Sequence, residues 1–182
     1  MLRFFSLLLL LIAQASTALA SDLVSTKRSV ELAVYVLDIS EIQELEQAVV
    51  ADFVVIARWQ QPDLADPSAP ELRFLPLGEV RSPRLVVLNG RRLREKLDEV
   101  VEVNREGLVV YRQRYQGTVS TAMDLEDFPM DRQILEIEVG SFDFRNTDLV
   151  PDDSRSGAMR RFTVAGWELE AMKLRGGNQV AP

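Results

Sequence analysis

TAMDLEDFPMDRQILEIEVGSFDF, running from Thr121 to Phe144, is the stretch on which the fold of this chain turns. Its second half alternates: Leu135, Ile137 and Val139 fall on one side and Glu136 and Glu138 on the other, the period-two pattern of a half-buried strand. Its first half is a loop. Met123 to Asp131 carries Asp124, Glu126, Asp127 and Asp131, and a Phe128-Pro129 step in which proline fixes its own φ and drives Phe128 out of the helical region. By themselves these residues support an acidic turn between two strands of a β-sandwich.

The flanks agree. Upstream, Asn104 to Gly107 is a turn, and LVVYRQRYQGTVSTAM places Val109, Tyr111, Gln113 and Tyr115 on one face of a strand and Val110, Arg112 and Arg114 on the other. VELAVYVLDI (Val30 to Ile39) and ADFVVIARW (Ala51 to Trp59) are strands rich in β-branched and aromatic residues, joined by a hairpin loop over SEIQELEQ. Residues 60–78 carry four prolines and are confined to loop or sheet edge. SPRLVVLN is a brief strand closed by the Asn89-Gly90 turn. RRLREKLDEVVEV is ambiguous: Leu93, Leu97 and Val100 fit a helical stripe, which local propensity favours, while Val101 and Val103 fit a strand. After a polar linker, FTVAGWELEAMKL predicts a last strand or pair of strands around Gly166 with Trp167, Leu169 and Ala171 in phase, followed by a frayed end. Many short strands separated by turns predict an all-β fold, an immunoglobulin-like antiparallel sandwich.

Composition removes much chemistry. The 182 residues include no cysteine and no histidine, so thiol nucleophiles, Ser-His-Asp triads, Cys/His zinc sites and disulfides are all excluded. No cofactor is expected. Acidic residues outnumber basic ones 28 to 21, which disfavours binding to nucleic acid through charge. The chain opens with Arg3, an apolar run from Phe4 to Ile12 and Ala18-Leu19-Ala20, the pattern of a secretory signal peptide; residues 1–20 are expected to be removed on export. That leaves 21–182 as one domain with its core in 30–174.

MDLEDFPMDRQ resembles the signature loop of the pentameric ligand-gated ion channels, the Cys-loop receptor family. Thr121 and Leu135 stand at its two cysteine positions, as in prokaryotic members that lack the disulfide. Other landmarks keep the family's order: Trp59 closes a strand where the family has a tryptophan, with Gln61 where many members have Asp. Pro83 and Asn89 match another segment, in which Arg81 and Arg84 replace a Trp and an Asp. GWELEAM resembles a late strand around Trp167, and over residues 91–103 the family pattern implies loop and strand in place of the local helical stripe.

The resemblance implies an extracellular or periplasmic ligand-binding domain, a homopentamer in its full-length form, and a small molecule bound between neighbouring sandwiches. The positions corresponding to the family's ligand box are Phe142, Phe144, Leu88 and Val54, with Tyr111 and Tyr115 offered from the complementary side. Aliphatic residues at two of them disfavour a quaternary amine. Glu41, Gln43, Glu44 and the loop residues Phe128, Pro129, Met130 and Asp131 correspond to the coupling loops that press on a pore domain at the membrane; Trp59, Asn89 and Trp167 are expected to be structural. The family domain continues through one more hairpin and into membrane helices, whereas this sequence stops at Pro182. A shortened channel, a free-standing exported binding or adhesion module and a degenerate remnant all fit that boundary. Catalysis is not expected, because Asp124 and Asp127 crowd one turn and give no acid and base in distinct environments.

Overall fold

The computed structural model describes residues 27–123, 133–143 and 145–176. The leader, the acidic loop with Phe128 to Asp131, and Phe144 lie outside the described residues. The chain forms strands β1 (Arg28–Gln43), β2 (Ala48–Gln60), β3 (Leu72–Pro76), β4 (Leu85–Val87), β5 (Gly90–Glu95), β6 (Val100–Asn104), β7 (Leu108–Ser120), β8 (Val139–Ser141), β9 (Thr147–Pro151) and β10 (Gly157–Ala158).

Eight strands make one sheet, mostly antiparallel, in the order β10-β1-β2-β7-β6-β3, with β9 also on the outer edge of β1 and β5 also on β7. β4 and β8 pair in a second, two-stranded sheet. The alternation of β2 decides the layering. Phe53, Val55, Ala57 and Trp59 are at most 2% exposed, and their cross-strand neighbours Val30, Leu32, Val34 and Val36 on β1 and Val109, Tyr111, Gln113 and Tyr115 on β7 share that face. Leu85 and Val87 of β4, Val139 of β8 and the preceding Ile137 pack onto this cluster, so the small sheet covers the inner face. The other face of β2, with Val54 and Ile56, points away from the sandwich and is crossed by ion pairs: Arg58 to Glu31 at 3.2 Å, Arg112 to Glu102 at 2.6 Å, and Arg114 to both oxygens of Asp52 at 2.8 and 2.6 Å.

The ambiguous run 91–103 is not a helix. Its backbone is claimed by β7: the buried Gln113 side chain accepts from Leu97 N at 2.9 Å and donates to Leu97 O at 3.0 Å, and Lys96 N donates to Arg114 O. A helix would have turned Leu97 and Val100 inward; they are about half exposed, while Val101 and Val103 are in the core. Tertiary pairing here outweighs local propensity. The proline-rich run folds as a 3-10 turn at Pro62–Leu64 and the edge strand β3.

Two further expectations are corrected. Residues 133–138 form no ladder, and β8 begins only at Val139; Leu135 is 36% exposed. The last expected strand is also absent: 159–176 contains none, although Met159 N, Thr163 N and Val164 N bond to Val36 O, an Asp38 carboxylate oxygen and Ile39 O along β1. Gly166, at φ +82°, breaks the phase, so Phe162, Val164 and Met172 reach the core, while Leu169 and Ala171 are exposed and Trp167 is only half-buried outside it. Glycine is needed at two positions, one in the turn before β7 and one within β7. Gly107 (φ +76°) and Gly117 (φ +149°) each bring a carbonyl oxygen to within 2.6 Å of where a Cβ would stand.

Two outcomes follow. Gln113→Ala leaves Leu97 N and O without partners in a site Gln113 fills at 0% exposure, and the urea midpoint should fall by the equivalent of about 2–4 kcal/mol. Asp152 is held at about 2, below its usual 3.8, by hydrogen bonds from Ser154 and then Arg155. Because the folded value lies below the unfolded one, its contribution is present above about pH 4 and is lost as pH falls toward 2. Asp152→Asn should therefore flatten the acid limb of the stability curve in that window by lowering its neutral end while leaving stability near pH 2 almost unchanged, as read by urea unfolding at a series of pH values.

Candidate functional site

The polypeptide around Phe142 is built as a rigid turn. β8 delivers Ser141, whose hydroxyl donates to Pro83 O and accepts from Asp143 N at 3.0 Å; Asn146 then closes the turn on Asp143 by side-chain and backbone bonds of 2.8 and 3.0 Å. Phe142 N donates to Arg84 O, and the Arg84 guanidinium lies 5.9 Å from the centre of the Phe142 ring. The ring itself is 66% exposed. A large aromatic held rigidly in the open, with a cation over one face, is arranged to meet something else.

A cleft of about 470 Å³ begins at Phe142 and runs inward between the two sheets. Tyr111 and Tyr115 line it, at 6% and 7% exposure, with Leu77, Val80 and Leu85 beside them and Glu95, Glu99 and Arg84 at its margin. Tyr115 stacks on Phe53 at 5.6 Å. Burial, and after it the neighbouring Tyr111 and Glu95, push the Tyr115 phenol well above its ordinary value; burial raises Tyr111 in the same direction. Both phenols are neutral across physiological pH.

Phe142 and Tyr111 are thus brought to one cleft. Leu88 lies nearby, 48% exposed and packed over Gly140, but does not line it. Val54 is not brought there: it sits on the outward face of β2 opposite Tyr35 and Arg114, with the whole sheet between it and Phe142. Tyr111 faces inward, so it shares no surface with Val54 either. Glu95 and Glu99 were not singled out from the sequence. The two acids lie in the run whose local pattern was ambiguous, which gave no reason to single them out.

At the opposite end, Glu41, Gln43 and Glu44 stand where β1 turns into β2, with Leu45 92% exposed and Gln47 in the left-handed region at φ 47°. Thr121 N donates to Gln47 O, so this hairpin and the root of the acidic loop lie side by side. The root is clasped without covalent help. The Thr121 hydroxyl donates to Ile134 O at 3.2 Å and accepts from Glu136 N at 3.1 Å, bracketing Leu135. Asn89 completes the clasp: its side chain donates to Ser120 O and Glu136 O at 2.8 Å and accepts from Glu138 N at 2.9 Å. Trp59, 2% exposed, lies under the Arg28 guanidinium at 5.8 Å and donates to Gln61, whose carbonyl also accepts from Arg81 N.

Residues 21–173 match the family model described as the neurotransmitter-gated ion-channel ligand binding domain.

The clasp makes a direct prediction. Thr121→Val removes one donor and one acceptor from a 4%-exposed site and should cost about 1–3 kcal/mol by denaturant unfolding. Thr121→Cys with Leu135→Cys should oxidise to an intramolecular disulfide and recover that loss, measured by thiol titration and unfolding of oxidised against reduced protein.

Proposed function

The chain belongs to the neurotransmitter-gated ion-channel ligand-binding-domain family, and from that membership we propose that it senses a small ligand on the extracellular or periplasmic side of a membrane, at the junction between copies of itself, and passes the bound state to a pore. Among the described residues no helix is long and apolar enough to cross a membrane, so conduction is not assigned to them. The role is binding, with no bond made or broken.

One observation carries the inter-subunit reading. The residues that the resemblance assigns to a common ligand box are split between the two sides of one sandwich: Phe142 and Leu88 belong to the small sheet and its turns, Val54 to the outward face of the large sheet. They can converge only if the Phe142 side of one copy meets the Val54 face of the next. Contact between two different faces is heterologous, and a heterologous contact that closes makes a ring; the family resemblance puts the number of copies at five.

Ligand binding at such a junction favours the quaternary state in which the cleft is best formed, by as much as the affinities for the two states differ. The Glu41 to Glu46 hairpin and the neighbouring root of the acidic loop at Thr121 would carry that bias toward the membrane. Their adjacency supports one contact surface rather than two separate loops.

The absence of cysteine makes the arrangement testable without background. Val54→Cys and Phe142→Cys, each in a separate batch of the full chain, should cross-link to one another when the batches are mixed and oxidised, while each alone gives little product. In the double variant, oxidation should yield a ladder of covalent multimers ending at five on a denaturing gel. Like-with-like dimers as the dominant product would contradict the head-to-tail contact.

A further inference from the structure

We propose that Asn89-Gly90 is a self-modifying site: when the clasp at the root of the acidic loop opens, the Asn89 amide is lost by intramolecular deamidation, and the product cannot close the clasp again. The Gly90 backbone nitrogen, giving up its proton, attacks Asn89 Cγ. The bond from Cγ to the side-chain nitrogen breaks, and ammonia leaves carrying that proton, so that a cyclic succinimide forms. Water then opens the ring at either carbonyl and leaves aspartate or isoaspartate at position 89. Water is consumed and ammonia released, with no oxidant or reductant, and solvent supplies the water because Asn89 is only half-buried.

Sequence and packing together keep the labile pair in place. A glycine after asparagine leaves the attacking nitrogen unshielded, since no side chain stands beside it. Asn104 and Asn146, the other asparagines among the described residues, are followed by Arg105 and Thr147, whose side chains crowd that approach. Gly90 is also fixed by the fold. It opens β5 opposite the fully buried Val119, and a Cβ at position 90 would run into the Leu93 side chain, which packs on the core. A bulkier residue there would displace Leu93, so the strand retains the glycine that makes Asn89 vulnerable.

The closed clasp holds the reaction off. Asn89 Nδ2 donates to Ser120 O and to Glu136 O at 2.8 Å, and Oδ1 accepts from Glu138 N at 2.9 Å. Swinging Cγ onto the Gly90 nitrogen breaks all of these bonds, so attack waits for residues 136–138 to lift away. Afterwards the chemistry is reversed. A carboxylate only accepts hydrogen bonds, and at position 89 it would face the two carbonyl oxygens that the amide had served. Isoaspartate adds a backbone carbon as well, at the residue before β5 begins its register with β7. Ser120 adjoins Thr121, whose N donates to Gln47 O, so the damage reaches the β1-β2 hairpin.

The tryptic peptide from Leu85 to Arg91 reports the conversion by its mass, and its aspartate and isoaspartate forms separate by chromatography. In mildly alkaline buffer the folded full chain should convert at Asn89 about ten-fold or more slowly than the same chain in concentrated urea, where Asn104 and Asn146 should lag behind it. Without denaturant, Thr121→Val should speed conversion by loosening the neighbouring bond to Glu136 N. Thr121→Cys with Leu135→Cys should convert more slowly oxidised than reduced, which decides the matter even where Thr121→Val does not fold. Asn89→Asp, made directly, should lower the urea midpoint at neutral pH. That loss should shrink as pH falls through the carboxylate range, because the protonated group can donate to a carbonyl again. Equal rates in folded and unfolded chain, a rate indifferent to the oxidation state of the cysteine pair, or Asn89→Asp as stable as the parent would overturn the proposal.

Discussion

The register of β2 between β1 and β7 is the constraint on which everything else rests. Val55 faces Val34 on one side and Gln113 on the other, and Phe53 faces Val36 and Tyr115. Because side chains alternate, slipping β2 by one residue would bury Val54, Ile56 and Arg58 and expel Phe53 and Trp59 to water. The core prevents this: Trp59 and Phe53 are the largest of its fully buried side chains, and removing either ring from water contributes roughly 1.5–3 kcal/mol or more. One strand therefore decides which residues make the interior, which line the cleft, and which form the outward face.

Closure of the small sheet over that interior falls to side-chain amides and a hydroxyl. Gln113 holds the segment before β6, Asn89 joins the end of β7 to residues 136–138, and Thr121 brackets Leu135. Each satisfies backbone groups that an incomplete ladder would leave bare, and buried unpaired groups are costly. In a protein without cysteine these bonds occupy the place of a cross-link at the loop root. They also join the two ends of the molecule, since Asn89 follows directly on Leu88 near the Phe142 turn and its partner Ser120 adjoins Thr121, which bonds to the β1-β2 hairpin.

The strands that alternate cleanly were legible from sequence. VELAVYVLDI, ADFVVIARW and LVVYRQRYQ became the three central strands, and the face shared by Val109, Tyr111, Gln113 and Tyr115 is the one observed. What misled was pairing that local pattern does not encode. The helical stripe of Leu93, Leu97 and Val100 lost, as the family pattern implied, to a glutamine on another strand; the alternation at 135–138 describes an extended segment held by Thr121 and Asn89 side chains rather than by a ladder; and Gly166 shifted the phase around Trp167. Of the candidate site, Phe142 and Tyr111 were singled out for opposite sides of a junction; that they line one cleft, with Glu95 and Glu99 beside Tyr115, depends on how β5 and the turn after it dock, which spacing along the chain cannot reveal.

The central claim is that Val54 and Phe142 meet only between neighbouring copies. A density map of the protein in the assembly isolated from its own membrane tests it most directly. Five copies in a ring, with the Phe142 turn of each set against the Val54 face of the next, is the predicted result. A single copy, or copies joined through like faces with Val54 open to solvent, would contradict it.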